Sequence, residues 1–399
     1  MKPTRISRRN VTAGQASSLQ NDESLSPSAR CANRSVLMAA ILSILLFSAS
    51  RLQSKAQAPG DALAALAAKA KTGDVKAEYN LGVLYDRGQG VPQDYAQAAA
   101  WFLKAADQGF ALAQLDLGIL NAKGQGVLQD YAQAAVWFRK SAEQGNGLAQ
   151  YDLGELYLHG TGVPQDYREA AAWCRKAADQ GYANSQYDIG ILNFYGLGVP
   201  QDYAQAAVWL RGAAEQGHVK AAYYLGLLYF NGYGVQQDYL LAGAWYLKAA
   251  AQGYSAAQLA LGELYLNGQG LPQNYTQAAV FFRDAAEQGN ALAQSNLGRL
   301  FLEGHGVPQD NAQAAAWFQK AADQGDPYAQ GFMGVMYAKG LLTPADRPTI
   351  FMWFNLASAK IGAAKSYLDE ISKQMPPEQI AEGQRLTREF LSAHPKSAH

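Results

Sequence analysis

Apolar residues recur at helical spacing through most of the chain, in a pattern that starts again every 36 residues. In the first full unit, Ala77, Leu81 and Leu84 fall on one stripe of a predicted helix over 76–87. Glycines at 88 and 90 end that helix, since glycine accepts the left-handed backbone beyond a helix end. A second predicted helix runs from the N-cap residue Asp94 to Gly109. Each unit therefore reads as a helix-turn-helix.

Three kinds of residue keep this step of 36 residues along the chain. The first is a glycine inside each first helix, at Gly82, Gly118, Gly154, Gly190, Gly226, Gly262, Gly298 and Gly334. The second is a Gln-Gly pair after each second helix. The third is the full set of seven tryptophans, Trp101, Trp137, Trp173, Trp209, Trp245, Trp317 and Trp353, with Phe281 in the one gap.

The internal glycine indicates close helix packing, because each one costs about 1 kcal/mol of helix propensity relative to alanine. We expect the tryptophan of the second helix to fill the space that the glycine leaves. A single unit cannot bury its apolar face, so stability should come from stacked neighbours. The pattern predicts an all-α fold, a right-handed α/α superhelix of about eight 36-residue repeats.

The two ends depart from the repeat. A lone second helix is predicted over 61–71. In the eighth unit, Leu342 replaces the second of the two glycines that follow the first helix, which is Gly90 in the first unit. Pro344 and Pro348 change the turn after it. A last helix, predicted from Pro376 to about residue 391, should cap the array. The expected organisation is a basic lead at 1–58, a solenoid at 59–375, and a capping helix and tail at 376–399.

The charge distribution separates the lead from the body. The chain of 399 residues has zero formal net charge, with 33 Lys and Arg and 33 Asp and Glu. The first 58 residues hold eight of these basic residues and two of the acids, which leaves 25 and 31 for the body. An acidic body argues against a nucleic-acid partner. Of the two cysteines, the body keeps Cys174 alone, so we expect no disulfide within it.

The lead has the order of an export signal. Arg30 and Arg34 precede an apolar run over 36–47, and small residues follow at 48–50. The run is shorter than the roughly 20 residues that span a bilayer. We expect a bacterial exported protein, periplasmic or secreted. The alternative is an inner-membrane anchor formed by residues 36–50, which would be the protein's only contact with the membrane.

The repeated unit resembles the Sel-one-like repeat, a relative of the tetratricopeptide repeat. The matching pattern is A-x-x-x-L-G-x-L-Y-x-x-G-x-G-V-x-Q-D-Y-x-x-A-x-x-W-x-x-x-A-A-x-Q-G, over about residues 61–375. The resemblance implies a protein-binding scaffold, and bacterial members are often envelope adaptors, signalling regulators or secreted effectors. It leaves two alternatives, a structural component of an envelope secretion or polysaccharide-export complex and a β-lactamase-like hydrolase.

Positions that differ from unit to unit are free to bind a partner, whereas invariant positions serve stacking. On the first helices the variable face begins at the position of Asn80 and continues three and seven residues later. It carries an acidic row and then becomes aromatic, which suggests a groove for a basic or polar peptide with tyrosine anchors. The alternative is a solvated face whose aromatic residues belong to the core of ordinary helices. The predicted partner-binding residues are Asp116, Asp152, Glu155, Asp188, Tyr195, Tyr224, Asn231 and Arg299.

No other motif indicates catalysis or a cofactor. Gly-x-Gly recurs after helices and never after a strand, so it is a turn and no dinucleotide loop. His159, His218 and His305 have no partner at metal-ligand spacing. No serine after residue 58 has a lysine three positions later, as β-lactamase chemistry would need. We therefore expect no enzyme, no metal and no cofactor, but a protein or peptide partner.

Overall fold

The computed structural model describes residues 59–342 and 346–394. Within this part of the chain every regular element is a helix. The export signal predicted at the N-terminus, Pro344 and the last five residues lie outside the described residues. The described helices fall into two compact units that divide after Asp202.

The first unit contains eight helices, each packed against the next along the chain. They are α1 Pro59–Lys71, α2 Val75–Arg87, α3 Tyr95–Asp107, α4 Ala111–Lys123, α5 Tyr131–Glu143, α6 Gly147–His159, α7 Tyr167–Asp179 and α8 Ala183–Tyr195. Helix α1 is the lone second helix that the sequence predicts. Connections as short as residues 108–110 make consecutive helices antiparallel neighbours.

The second unit repeats this arrangement and ends differently. Its helices are α9 Tyr203–Glu215, α10 Val219–Asn231, α11 Tyr239–Ala250, α12 Ser255–Asn267, α13 Tyr275–Glu287, α14 Ala291–Glu303, α15 Asn311–Asp323, α16 Pro327–Ala338, α17 Arg347–Ser358, α18 Gly362–Ser372 and α19 Pro377–Ala393. The predicted last helix is present as α19, which packs on α17 through Phe390 and the buried Trp353, with ring centroids 5.3 Å apart.

Helix ends follow the predicted chemistry. The Oδ1 atom of Asp94 accepts hydrogen bonds from the backbone N–H groups of Ala96 and Gln97, at 2.9 and 3.0 Å, and so caps α3. At the end of α2, Gly88 has a φ of 67° and its N–H donates to the carbonyl of Leu84. The same two devices recur in later repeats.

In seven of the eight repeats the glycine inside the first helix faces the residue that follows the tryptophan position, so our expectation that the indole fills this space is wrong. A Cβ on Gly82 would lie 2.6 Å from the ring of Phe102, which is 1% exposed. The reason is geometric, because consecutive residues of a helix point about 100° apart. The same contact joins Gly118 to Phe138, Gly154 to Cys174, Gly226 to Tyr246, Gly262 to Phe282, Gly298 to Phe318 and Gly334 to Phe354.

The tryptophans lie instead at the seams between consecutive repeats. Trp173 packs with residues of α5 from the preceding repeat and with α6 of its own. The indoles of Trp137, Trp173 and Trp353 are buried, and those of Trp101, Trp209, Trp245 and Trp317 are half-buried. A lysine three residues later covers one face of the indole in five repeats, with Nζ 3.8–4.0 Å from the ring centroid.

A buried glutamine also ties neighbouring repeats together, a role that the sequence analysis missed. The Nε2 of Gln114 donates to the carbonyl of Ala106 in the preceding repeat, at 3.1 Å. Its Oε1 accepts from the Nε2 of Gln144, at 2.8 Å, so no polar atom of this buried amide is left without a partner. Equivalent side-chain pairs are Gln150 with Gln180, Gln258 with Gln288, and Gln294 with Gln324.

The second loop glycine is required by a close backbone contact between repeats. Gly126 has a φ of 71°, and a Cβ there would lie 2.2 Å from the carbonyl carbon of Tyr95. Gly145 has a φ of 89° but nothing within 4 Å of its Cβ position. The two glycines thus share left-handed backbone and differ in the space around them.

We predict that Gly126→Ala destabilises the array more than its control Gly145→Ala. Left-handed alanine should cost both variants about 1–2 kcal/mol, and the collision with Tyr95 should add roughly 1–3 kcal/mol to the first, as overpacking does. Amide hydrogen exchange of α3–α5 measures the difference. Equal losses in the two variants would contradict the proposed contact.

His218 caps α10 in its neutral form. Its Nδ1 accepts from the N–H of Ala221 at 3.1 Å. Burial, followed by the charge of Lys220, lowers the pKa of His218 from 6.5 to about 4. Between these values the unfolded chain binds a proton that the folded chain does not, so this contribution to stability is lost as the pH falls from 6.5 towards 4.

We predict that His218→Asn removes this part of the pH dependence, because Asn146 caps α6 in the same way without titrating. The wild type should lose about 1–2 kcal/mol between pH 7.5 and pH 5, because the unfolded chain takes up a proton in this range and the folded chain does not, and the variant should lose less. Unfolding midpoints at both pH values measure this. An unchanged pH slope would refute the cap's role, and His159→Asn on the exposed end of α6 is the control.

Candidate partner-binding surface

The acidic residues of the variable face occupy one equivalent position of α4, α6 and α8. Asp116, Asp152 and Asp188 are all half-buried there. The Oδ2 of Asp116 accepts a hydrogen bond from the hydroxyl of Tyr79, at 3.1 Å, so this carboxylate is oriented by the preceding repeat. All three aspartates are thus partly exposed, and at Asp116 the carboxylate also has a fixed orientation.

Glu155 and Asp188 both lie within electrostatic reach of the buried Cys174. Burial first, and then these two carboxylates, raise the pKa of the Cys174 thiol well above its usual value. The thiol therefore stays protonated at neutral pH, and Cys174 is the small buried hydrophobe of this repeat, packed against Gly154. The Nε2 of His159 lies 3.9 Å from a carboxylate oxygen of Glu155.

The predicted aromatic residues belong to several local clusters. Tyr195 is half-buried and its ring meets that of Phe194, with centroids 4.9 Å apart. Tyr224 is half-buried and contacts Tyr223, whose ring also lies 5.3 Å from that of Tyr254.

Two further aromatic residues of this stretch pack elsewhere. Phe230 and Tyr233 contact tyrosines at the starts of second helices, Tyr239 and Tyr203, with centroids 5.3 and 4.9 Å apart. They stabilise the turns and do not extend the cluster around Tyr224.

Two predicted polar residues of the second unit, Asn231 and Arg299, differ in exposure and in their hydrogen bonds. Asn231 is exposed, but its Nδ2 donates a hydrogen bond to the carbonyl of Leu227, at 2.9 Å. The amide nitrogen is therefore already hydrogen-bonded within α10. Arg299 is half-buried, and its Nη2 lies 3.5 Å from Oδ1 of Asn296.

Glu263 lies on the same face but is not among the predicted partner-binding residues. No hydrogen bond or ion pair from the described residues reaches its carboxylate, although the charge of Arg299 acts on it. Burial raises the pKa of Glu263 from 4.5 to about 7, and Arg299 opposes part of this rise. The equivalent residue three repeats earlier is Glu155, which has His159 beside it where Glu263 has Asn267.

We predict that Glu263→Gln stabilises the protein at pH 8. The raised pKa means that the folded carboxyl holds its proton longer than the unfolded one, so stability falls as the pH rises from 4.5 to about 7. The gain of the variant should vanish near pH 4.5, and Glu155→Gln should show no comparable gain. Unfolding midpoints across this range measure it, and a variant less stable than the wild type at pH 8 would be the contrary result.

Metal binding and membrane spanning find no support in the described residues. No group of three or more His, Cys, Asp or Glu side chains in 59–342 and 346–394 could hold a metal ion. None of the helices described above is long and apolar enough to cross a bilayer.

The tandem helix pairs and their repeated seams define an α/α solenoid of the tetratricopeptide-like class. The chain belongs to the Sel1 repeat family, because the Sel1 repeat matches it eight times in succession. The matched segments are 75–110, 111–146, 147–182, 183–218, 219–254, 255–290, 291–326 and 327–360. The predicted all-α fold and family are thus confirmed, and the right-handed sense of the superhelix stays a prediction.

Two solved structures are similar over nearly their whole length. A Sel1 repeat protein from Oxalobacter formigenes is 34% identical, with a TM-score of 0.60, over 83% of this chain and 99% of that one. The protein c5321, a protective antigen of uropathogenic Escherichia coli strains with an SLR fold, is 29% identical, with a TM-score of 0.53, over 84% and 96%. None of the curated proteins compared with the chain matches it.

Sel1 repeat solenoids are generally scaffolds for protein interactions, and the fold is typically non-catalytic. Membership therefore supports a protein-binding function for this chain. The partner and the binding face depend on this chain's own residues.

Proposed function

We propose that the protein is a non-enzymatic scaffold or adaptor that binds a partner polypeptide along the variable face of its first helices. The observation that carries the proposal is the contrast between two sets of positions. Residues that recur in all or most repeats, such as Gly118 and Phe138, are buried in helix contacts. Residues that change, such as Asp152 and Tyr224, lie half-exposed on the first helices, where substitution costs the array little.

The charge of this face favours a basic or polar segment as partner. In the first unit the acidic row recurs in three consecutive repeats, whereas in the second unit Tyr224 and Arg299 occupy the face. A polypeptide lying along the first unit would meet carboxylates at the spacing of the repeats, which suits a segment with several cationic side chains. Tyrosine supplies contact area at low entropic cost.

We also propose that the protein acts in the bacterial cell envelope, after export. The support is the order of charged, apolar and small residues over 30–50, together with the basic lead and acidic body. Fractionation of cells that express the full chain, with a C-terminal tag, tests this proposal. Recovery in the cytosol alone would reject it.

We predict that Asp152→Lys weakens partner binding at least about tenfold, or 1.4 kcal/mol, without lowering the unfolding midpoint. The partner is first identified by crosslinking and mass spectrometry on the wild-type protein in the envelope fraction, and its Kd is then measured on purified chains. Asp107→Lys, which makes the same charge change on the exposed face of α3, is the matched control. Equal affinities for all three chains would place the binding site elsewhere.

A further inference from the structure

An open cavity of about 350 Å³ lies at the first seam, where α1 meets the first repeat. Its lining combines an aliphatic wall from α1 with polar and aromatic groups. Ala67 and Lys71 come from α1, Tyr85 from α2, and Gln97 and Trp101 from α3. The indole of Trp101 is half-buried here.

The same place in a later seam is filled by an arginine side chain of the protein itself. Seventy-two residues on, the equivalents of Ala67, Tyr85 and Trp101 are Arg139, Tyr157 and Trp173. The Cζ of Arg139 lies 5.7 Å from the ring centroid of Tyr157 and 5.8 Å from that of Trp173. Its Nη2 also donates a hydrogen bond to the hydroxyl of Tyr157.

The rest of the two seams is alike. Lys104 covers the outer face of Trp101 at 3.9 Å, as Lys176 covers Trp173 at 3.8 Å. Trp173 is nevertheless only 6% exposed, whereas Trp101 is half-buried. The first seam thus has the same two aromatic residues as the later seam, but it has alanine where the later seam has arginine.

The arginine-tyrosine contact also occurs in the second unit, whereas leucine takes the arginine position at 103 and 247. In the second unit the Nη2 of Arg211 donates to the hydroxyl of Tyr229, at 2.5 Å. In contrast, no hydrogen bond of the described residues engages the hydroxyl of Tyr85, which remains available as an acceptor.

We propose that the cavity at the first seam binds the guanidinium group of an arginine on a partner polypeptide. A guanidinium is planar, stacks on aromatic rings and donates to the tyrosine hydroxyl, whereas an ammonium has no plane to stack. The proposal rests on the proposed function for the source of the arginine. The chemistry of the cavity itself is independent of that function.

Two polar lining residues set the strength of binding. Lys71 stands at the cavity where the arginine-filled seam has Glu143, so it repels a guanidinium that Glu143 would attract. Gln97 stands where that seam has Glu169, which accepts from Nε1 of Trp173 at 3.0 Å. We therefore expect modest affinity for a single arginine, increased when Lys71 is replaced by glutamate.

The test uses the full chain and N-acetyl-arginine methylamide, followed by NMR of the tryptophan indole N–H groups. The signal of Trp101 is assigned with Trp101→Phe. We predict a saturable shift of this signal, with the lysine and citrulline analogues binding at least about tenfold more weakly, because only arginine supplies both charge and plane. Equal shifts with all three compounds, or no shift of the Trp101 signal, would overturn the proposal.

Ala67→Arg supplies the missing side chain and is the sharpest variant. It should abolish binding of the arginine compound and raise the unfolding midpoint, since the new guanidinium fills the cavity as Arg139 fills its own. Ala68→Arg adds the same charge at an exposed neighbour and should do neither. Lys71→Glu should tighten binding severalfold. Retained binding in Ala67→Arg would refute the site.

The outcome is separable from that of the proposed function. Asp152→Lys should bind the arginine compound as the wild type does, because it lies outside the cavity lining. If the wild type binds the arginine compound but Asp152→Lys leaves partner affinity unchanged, the arginine site is supported and the proposed binding face is rejected. If the compound does not bind but Asp152→Lys weakens partner affinity, the binding face is supported and the arginine site is rejected.

Discussion

Seven of the eight repeats depend on a contact that only glycine permits, between the first helix and one side chain of the second. At Gly82 a Cβ would stand 2.6 Å from the ring of Phe102, so the two helices could not approach as they do. The glycine costs about 1 kcal/mol of helix propensity, and burial of the ring more than offsets it. The ring changes to tyrosine at 246 and to a cysteine at 174, but the glycine opposite does not change.

Helix pairs built in this way still need to be joined, and polar side chains contribute much of the joining. The amide of Gln114 binds a carbonyl of the preceding repeat, and the guanidinium of Arg139 lies over aromatic rings of the following one. Buried polar groups stabilise a structure only when every partner is supplied. Where the glutamine recurs, as at Gln150 and Gln294, its partners recur at the same 36-residue step, so the same hydrogen bonds are reused at several seams.

The periodicity predicted the helices well, since α2 begins one residue before the predicted start and the caps at Asp94 and Gly88 are as expected. It could not show which of Trp101 and Phe102 meets Gly82, because both recur with the same step. Gln114 reads as an ordinary surface residue until its partners are seen. The variable face could be predicted by setting aside the positions that are the same in every repeat. The hydrogen bond between Asp116 and Tyr79, and the lack of a hydrogen-bond partner for Glu263, depend on distances between repeats that the sequence does not give.

A residue that departs from the repeat is therefore best compared with the residue that it would contact, to see whether that one has changed as well. Leu342 replaces the second loop glycine where Asn311 replaces the tyrosine that this glycine would contact, so two changes at one contact occur together. Ala67 departs alone, because Tyr85 and Trp101 keep the identities that enclose Arg139 two repeats later. A paired departure alters a contact on both sides, as at the end of an array. An unpaired one leaves half of a contact without its counterpart, and at the first seam the proposed counterpart is an arginine of a partner polypeptide.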